Sequence, residues 1–234
     1  MDDAASPPGV VAGNRRGANT YDKSFWKTEN LKFGEPWYRL EKAARLLRSL
    51  AKGRHCSLLD VGCGPATLMR MLPSNIEYYG IDIAVQRPAP NLLEADVLQV
   101  PIRFGDKHFD IVVAEGLFEY LGNAQEKKFD EIAQVLNPDG VFVVSYTNFG
   151  HRKAHISELF SNVQPFDAFR TSLSRHFVID RVIPESHNWK HAQPNRPWLK
   201  AVNLRVNKSI PLVSRRLAVE YFFICSPRGV AASS

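Results

Sequence analysis

The residues whose types and spacing suit chemistry begin with Ser57-Leu-Leu-Asp-Val-Gly-Cys-Gly-Pro-Ala-Thr67, a quarter of the way along the 234-residue chain. An apolar strand here runs into a glycine turn, and Pro65 stands where a helix can start. Glycines let such a turn close and let a ligand approach the backbone. Gly62 and Gly64 alone say little, because a plain strand-to-helix turn also uses glycine. The acids around them say more. Asp60 lies just before Gly62 at the carboxyl end of the strand, where open α/β sheets bind ligands. Its charge would repel a dinucleotide pyrophosphate, and Thr67 stands where the third glycine of a GxGxxG turn would fall. A carboxylate there suits a ligand that carries cationic groups. Asp82 ends the next apolar run, EYYGIDI, in the place from which an acid accepts hydrogen bonds from ribose hydroxyls. Asp96 ends a third run, LLEAD. Turn chemistry is the alternative for Asp82 and Asp96, but three acids at successive strand ends would line one rim. Asp110 opens its run, FDIVVAEG, so it belongs to the opposite rim and has an architectural role.

These residues need a sheet to hold them. Short apolar runs at 57–61, 77–81, 92–95, 109–114 and 141–146 alternate with turns or with helical segments such as 123–136, the pattern of parallel strands with crossover helices. FDIVVA and VFVVSY are continuous apolar runs, as expected of strands buried on both faces. From Pro36 to Ala51, Trp37, Leu40, Ala43, Ala44, Leu47 and Leu50 recur at three- and four-residue steps, which predicts a helix covering one sheet edge. Asn137-Pro138-Asp139-Gly140 reads as a turn that stops one helix and launches the next strand. HFVIDRVI and LAVEYFFICS complete the sheet at its far end, the last as an antiparallel strand. Residues 1–19 read as a flexible tail, residues 20–53 as a helical cap, and 20–234 as one domain.

Composition is that of an ordinary globular protein, with 44% hydrophobic and 23% charged residues. No run approaches the roughly 20 apolar residues that span a bilayer, and residues 1–20 lack the apolar core of a secretory signal, which predicts a cytoplasmic location. Cys56, Cys63 and Cys225 have neither disulfide-framework nor zinc spacing, so no metal is expected. A net charge of +6 is compatible with anionic partners and decides nothing by itself.

The ordered segments DVGCGPAT, YGIDI, EADVLQVPIRFGDKHFDIVVAEGLFEYL and LNPDGVFVVSY, within about residues 55–161, resemble the motifs of class I S-adenosylmethionine (SAM)-dependent methyltransferases. SYTNFGHRKAHISELF resembles the matching stretch of MetW-like methyltransferase-domain proteins. The resemblance implies a Rossmann-like, doubly wound, mostly parallel seven-stranded sheet with helices on both faces. It implies SAM as cofactor and S-adenosylhomocysteine (SAH) as product, SAM carrying the ammonium and sulfonium that Asp60 would suit. By the same analogy Asp60 and the backbone around Gly62 and Gly64 hold the methionine part. Asp82 takes the ribose hydroxyls, with Ile83 also in the cofactor-binding set, and Asp96 with Val97 meets the adenine edge. Ala114, Glu115 and Gly116 pass close to the methyl-bearing sulfur. Tyr21, in YDKSFW, resembles an upstream aromatic that covers the cofactor; a tail-to-core anchor is the alternative. Ala66 serves as the fourth small residue of the glycine turn, and Tyr120 stands where a histidine is common. Pro88 and Pro90 predict that the helix usually following Asp82 is short or absent.

SAM brings an activated methyl group, so the protein has mainly to position a nucleophile and, for a hydroxyl, help remove a proton. Glu115, Tyr146 and His151 follow the carboxyl ends of the fourth and fifth strands and are the catalytic candidates; histidine has a suitable unperturbed pKa for a general base. The bland readings are a cofactor contact for Glu115, a core residue for Tyr146 and a loop residue for His151. Residues 187–215 carry Lys190, Arg196, Lys200, Arg205, Lys208 and Arg215 with no acid, plus Trp189 and Trp198. This stretch would cover an anionic substrate, touch an acidic membrane face peripherally, meet nucleic-acid phosphates, or be an ordinary packed insertion. His187 and His191 would join a substrate site there. The expected function is methyl transfer to an oxygen or nitrogen of a small or lipid-like acceptor. A SAM-binding regulatory or partner module of MetW type is one alternative. A nucleic-acid methyltransferase is another, disfavoured because AEGLFEY is not an Asn/Asp-Pro-Pro-Tyr motif. A NAD-dependent oxidoreductase is disfavoured by Asp60 and the missing third glycine.

Overall fold

The computed structural model describes residues 22–35, 38–148, 164–186, 218 and 220–228. The expectations for residues 1–19, Tyr21, Pro36, Trp37, His151 and 187–215 lie outside them. A helix α1 (Lys23–Glu29) leads through a 3₁₀ turn (Asn30–Phe33) to α2 (Tyr38–Ala51). Strands β1 (Cys56–Val61), β2 (Ile76–Asp82), β3 (Leu92–Glu94) and β4 (Phe109–Ala114) follow. Then come α3 (Gln125–Val135), β5 (Leu136–Thr147), α4 (Phe166–His176), β6 (Phe177–Ser186) and β7 (Glu220–Pro227).

The seven strands form one sheet in the order β3-β2-β1-β4-β5-β7-β6. β2 and β4 flank β1 in parallel, β3 and β5 extend the sheet in parallel, and β7 runs antiparallel to both β5 and β6. This is the doubly wound arrangement expected from the sequence. Order reverses at β1 and β4, so the crevice above their carboxyl ends is the position where such sheets accept ligands.

Both faces are covered, for a reason visible in the strands. Even-numbered residues of β1, Leu58 among them, face α2, whose Ala43, Ala44 and Leu47 are at most 1% exposed. Odd-numbered Leu59 and Val61 face the opposite core, where Phe118, Phe129, Phe142, Phe169 and Phe177 pack with α3 and α4. Helix α2 thus lies on a face built from Leu58, Val113, Val143 and Phe222, not along an edge as its periodicity alone suggested. An apolar stripe is stabilised most where it meets a complementary apolar surface, and edge strands β3 and β6 offer less of one.

Two local expectations change. Pro65 is followed by turns and a short 3₁₀ segment, Leu68–Met71, in place of an α-helix. Residues 137–140, read as a turn, fall inside β5: Leu136 pairs with Phe109, and the ladder resumes at Val141 with Ile111 across a register shift. The segment after Asp82 contains no helix, in keeping with its two prolines.

Candidate functional site

A cleft of about 600 Å³ opens at the carboxyl ends of β1, β2 and β4, within the roughly 300–1,000 Å³ of small-molecule sites. Its floor is the glycine turn. Gly62 has φ +81°, and a Cβ there would press on Leu117 at 3.3 Å, so both backbone conformation and space require glycine. The amides of Gly62 and Cys63 donate to the Ile81 carbonyl at 2.8 and 3.1 Å, pinning the turn to the end of β2. Gly80 lets the turn come this close: a Cβ at that position would sit 2.7 Å from the Cys63 sulfur.

Three acids ring this floor. Asp60 is 4% exposed and receives the Tyr78 hydroxyl at 2.6 Å. Burial, then the neighbouring Asp82, push its carboxyl up to about 7, against the lowering effect of the Tyr78 hydrogen bond. Asp82 accepts the Ala84 amide at 2.8 Å on Oδ1 and the Gly64 amide at 2.8 Å on Oδ2. Burial raises its carboxyl too, although those amides and Asn30 oppose the rise. Asp96 is half-buried and caps its own turn, its Oδ1 accepting the Leu98 amide at 2.9 Å; it both lines the cleft and serves the backbone.

Of the residues expected to surround a cofactor, Asp60, Gly62, Gly64, Asp82, Ile83, Asp96, Val97, Glu115 and Gly116 all line this one cleft. Ala114 is buried within β4 and does not line it. Glu115 meets Arg39 at 3.4 Å, and Arg39 also meets Glu220 at 3.5 Å, so α2 is tied to the ends of β4 and β7 beside the cleft. Gly116 donates its amide to Ser145 Oγ at 2.8 Å. Tyr146 belongs to the core. It is fully buried, stacks on Phe169 at 3.7 Å, donates its hydroxyl to the Gln164 carbonyl at 3.0 Å and does not line the cleft. Burial lifts its pKa to about 12.

Sequence reasoning expected a helical cap over residues 20–53 but named none of the residues that form the opposite wall. Residues 22–35 fold over the cleft and contribute Asp22, Lys23, Trp26, Asn30 and Phe33. Trp26 meets Tyr120 edge-to-face at 5.0 Å, and Lys23 pairs with Glu94. Thr67 donates its hydroxyl to the Phe33 carbonyl at 2.7 Å. The available signal was Asp22: its side chain accepts the Phe25 amide at 2.9 Å as an N-cap, and Asp before a run containing Phe and Trp is a helix-start pattern. Among the described residues no group of acids, histidines and cysteines is arranged to hold a metal ion.

Residues 59–144 match the family model of the methyltransferase domain. The fold of the described residues is the one that class I SAM-dependent methyltransferases share. Solved structures with the same fold include a methyltransferase from Haloferax volcanii in complex with the Trm112 methyltransferase activator, at TM-score 0.59 and 17% identity over 86% of this chain and 96% of that one. The N-methyltransferase NodS from Bradyrhizobium japonicum, in complex with SAH, aligns at TM-score 0.56 and 14% identity over 88% and 97%. The 1,6-didemethyltoxoflavin-N1-methyltransferase from Burkholderia thailandensis aligns at 0.55 and 16% over 88% and 84%. No curated protein sequence matches the chain significantly. The glycine turn, Asp60, Asp82 and Asp96 all fall inside the matched segment, whereas the wall made by residues 22–35 lies outside it. Among the described residues no helix is long and apolar enough to cross a membrane.

Proposed function

We propose that this protein transfers a methyl group from SAM to a nitrogen or oxygen of a small or lipid-like acceptor, releasing SAH. The observation that carries the reading is the convergence of Asp60, Asp82 and Asp96 on one cleft around the glycine turn. The residues fit the cofactor by their own chemistry. Asp60 is buried with Tyr78 as its donor, and an ammonium group beside it would supply the charge that burial withholds. Asp82 is the acceptor for ribose hydroxyls, with Ile83 beside it, and Asp96 with Val97 borders the base. SAM, when bound, supplies an electrophilic methyl group on a sulfonium.

The remaining residues act on the acceptor. Glu115 and Gly116 follow β4 at the end of the cleft walled by Trp26, Tyr120 and Leu121. A carboxylate held by a guanidinium is a weak base, so Glu115 orients the acceptor more than it removes its proton. Carboxylates outnumber cations along the cleft although the chain carries +6 overall. That favours an amine over an anionic acceptor, and two of the similar structures are N-methyltransferases. His151 keeps the role of base that the sequence suggests, whereas the basic residues 187–215, suggested as a cover for an anionic substrate, would suit an amine acceptor less well. A cytoplasmic location and a single domain over residues 20–234 belong to the same reading.

A partner-bound module is the second reading, favoured by the likeness to a methyltransferase in complex with an activator. Calorimetric titration with SAM, SAH and NAD tests the first: SAM and SAH bind and NAD does not. A mass-spectrometric screen of amine and hydroxyl acceptors then seeks a gain of one methyl group. Binding of NAD in place of SAM would overturn the assignment; SAM binding with no turnover and tight capture of one protein partner would favour the module.

A further inference from the structure

Asn30 is 3% exposed, lines the cleft, and spends its side-chain amide on one of the carboxylates there. Its Nδ2 donates to Asp82 Oδ1 at 3.1 Å and to the Ala84 carbonyl at 3.3 Å. An ionised carboxylate offers about four acceptor positions. Among the described residues three donors already serve Asp82: the amides of Gly64 and Ala84 and the side chain of Asn30. A ribose brings two hydroxyls, one more than the remaining place can take.

The donor that yields is determined by what holds each one. The amides of Gly64 and Ala84 belong to backbone locked to the end of β2, through the turn that Gly62 and Cys63 pin to Ile81 and through the chain leaving Asp82 itself. Asn30 reaches Asp82 by a side chain with two rotatable bonds. Asn30 caps the carboxyl end of α1, and Trp26 lies four residues earlier, so the two side chains share a helix face. Both line the cleft, Asn30 against Asp82 and Trp26 against Tyr120.

We propose that Asn30 is a positioning residue that couples the two ends of the cleft: nucleoside hydroxyls arriving at Asp82 take the place of the Asn30 amide, and the displaced amide resets Trp26 against Tyr120 one helical turn away. The acceptor wall is then completed by the cofactor, and acceptor binding follows cofactor binding. This rests on the methyl-donor reading above.

The test uses the full chain with SAH as the probe, followed by calorimetry and by tryptophan fluorescence excited where SAH does not absorb. In the wild type, SAH changes the emission, and Trp26→Phe removes that change although calorimetry still registers SAH binding. In Asn30→Ala, SAH affinity is equal or up to about threefold tighter, because a competitor for Asp82 is gone, and the Trp26 response falls by at least about half. Hydrogen exchange of residues 22–35 responds to SAH in the wild type and not in Asn30→Ala. If burial of the alanine prevents folding, Asn30→Ser, too short to hold the same bond, carries the same expectations. The proposal is overturned if Asn30→Ala loses SAH affinity about tenfold or more and keeps the Trp26 response, which would make Asn30 a cofactor ligand. It is equally overturned if the wild-type emission and exchange ignore bound SAH. A wild type that binds no SAH at all instead removes the methyl-donor reading, and this coupling with it.

Discussion

Asp60 and Asp110 stand on neighbouring parallel strands, β1 and β4, at opposite rims of one sheet. Asp110 is served on all sides by the protein: the Ser57 amide at 2.8 Å, the Ser57 hydroxyl at 3.0 Å and the Asn137 side-chain amide at 2.8 Å. Burial pulls its carboxyl up, but those bonds outweigh it and hold the group below its ordinary value. Asp60 is more deeply buried, receives the Tyr78 hydroxyl and sits near a second carboxylate, so the balance falls the other way, to about 7. The same residue type is held low where three donors outweigh its burial and pushed up where burial prevails, and on the proposed reading it is the second that meets the cation of a ligand. The two shifts differ in sign because burial and hydrogen bonding are balanced differently at the two rims.

Exchange of the two roles by mutation breaks the comparison if it is wrong. The largest effect is expected for Asp60→Asn, which lowers affinity for SAM by roughly 10–150-fold through loss of a charged partner worth about 1.5–3 kcal/mol. Thermal stability should hold or rise, because a buried charge is removed; calorimetry and a melting curve read the two quantities separately. Asp82→Ala is expected to weaken SAM by about 1–3 kcal/mol through the ribose hydrogen bonds, and unchanged affinity in a folded variant would withdraw that role. Asp110→Ala should behave in the reverse manner: the Ser57 amide and Asn137 lose their acceptor, stability falls by about 1–2 kcal/mol, and SAM affinity is unaltered.

The smallest effect is with pH. Because the carboxyl of Asp60 titrates near 7 in the folded protein, a cationic ligand binds better as the proton leaves. Affinity should rise by at most about tenfold between pH 6 and 8, with proton uptake by buffer visible in calorimetry. The stability terms have opposite signs. That of Asp60, whose folded value is raised, is complete in acid and is lost as pH rises through about 7. That of Asp110, whose value is lowered, is present above the ordinary carboxylate range and is lost as pH falls through the lowered value. A pH-independent affinity would mean that Asp60 is not next to the ligand's cation.

What was legible in the chain was local. The run Ser57–Thr67, the acids closing EYYGIDI and LLEAD, and the continuous apolar strands each depend on residues within a turn or two of one another, where backbone sterics and period decide the outcome. Parallel strands place successive carboxyl ends on one rim, so the acids at those ends had to converge once the strand pattern was read. The antiparallel β7 and the architectural place of Asp110 followed from the same reasoning.

Tertiary structure alone decided the other wall. Asn30 touches Asp82 and Arg39 touches Glu115 and Glu220 across long sequence separations; no spacing rule links such residues, because their meeting depends on how α1 and α2 pack. Tyr146 shows the converse: an expected place beyond the carboxyl end of the fifth strand suggested catalysis, but it lies within β5, and the stacking partner Phe169, on a different element, puts it in the core. The sequence by itself determined the strands, the turn and the ring of acids, because each is encoded by near neighbours. Which side chains close over that ring, and how deeply each of its carboxylates is buried, depends on distant segments brought together by the burial of both faces of the sheet.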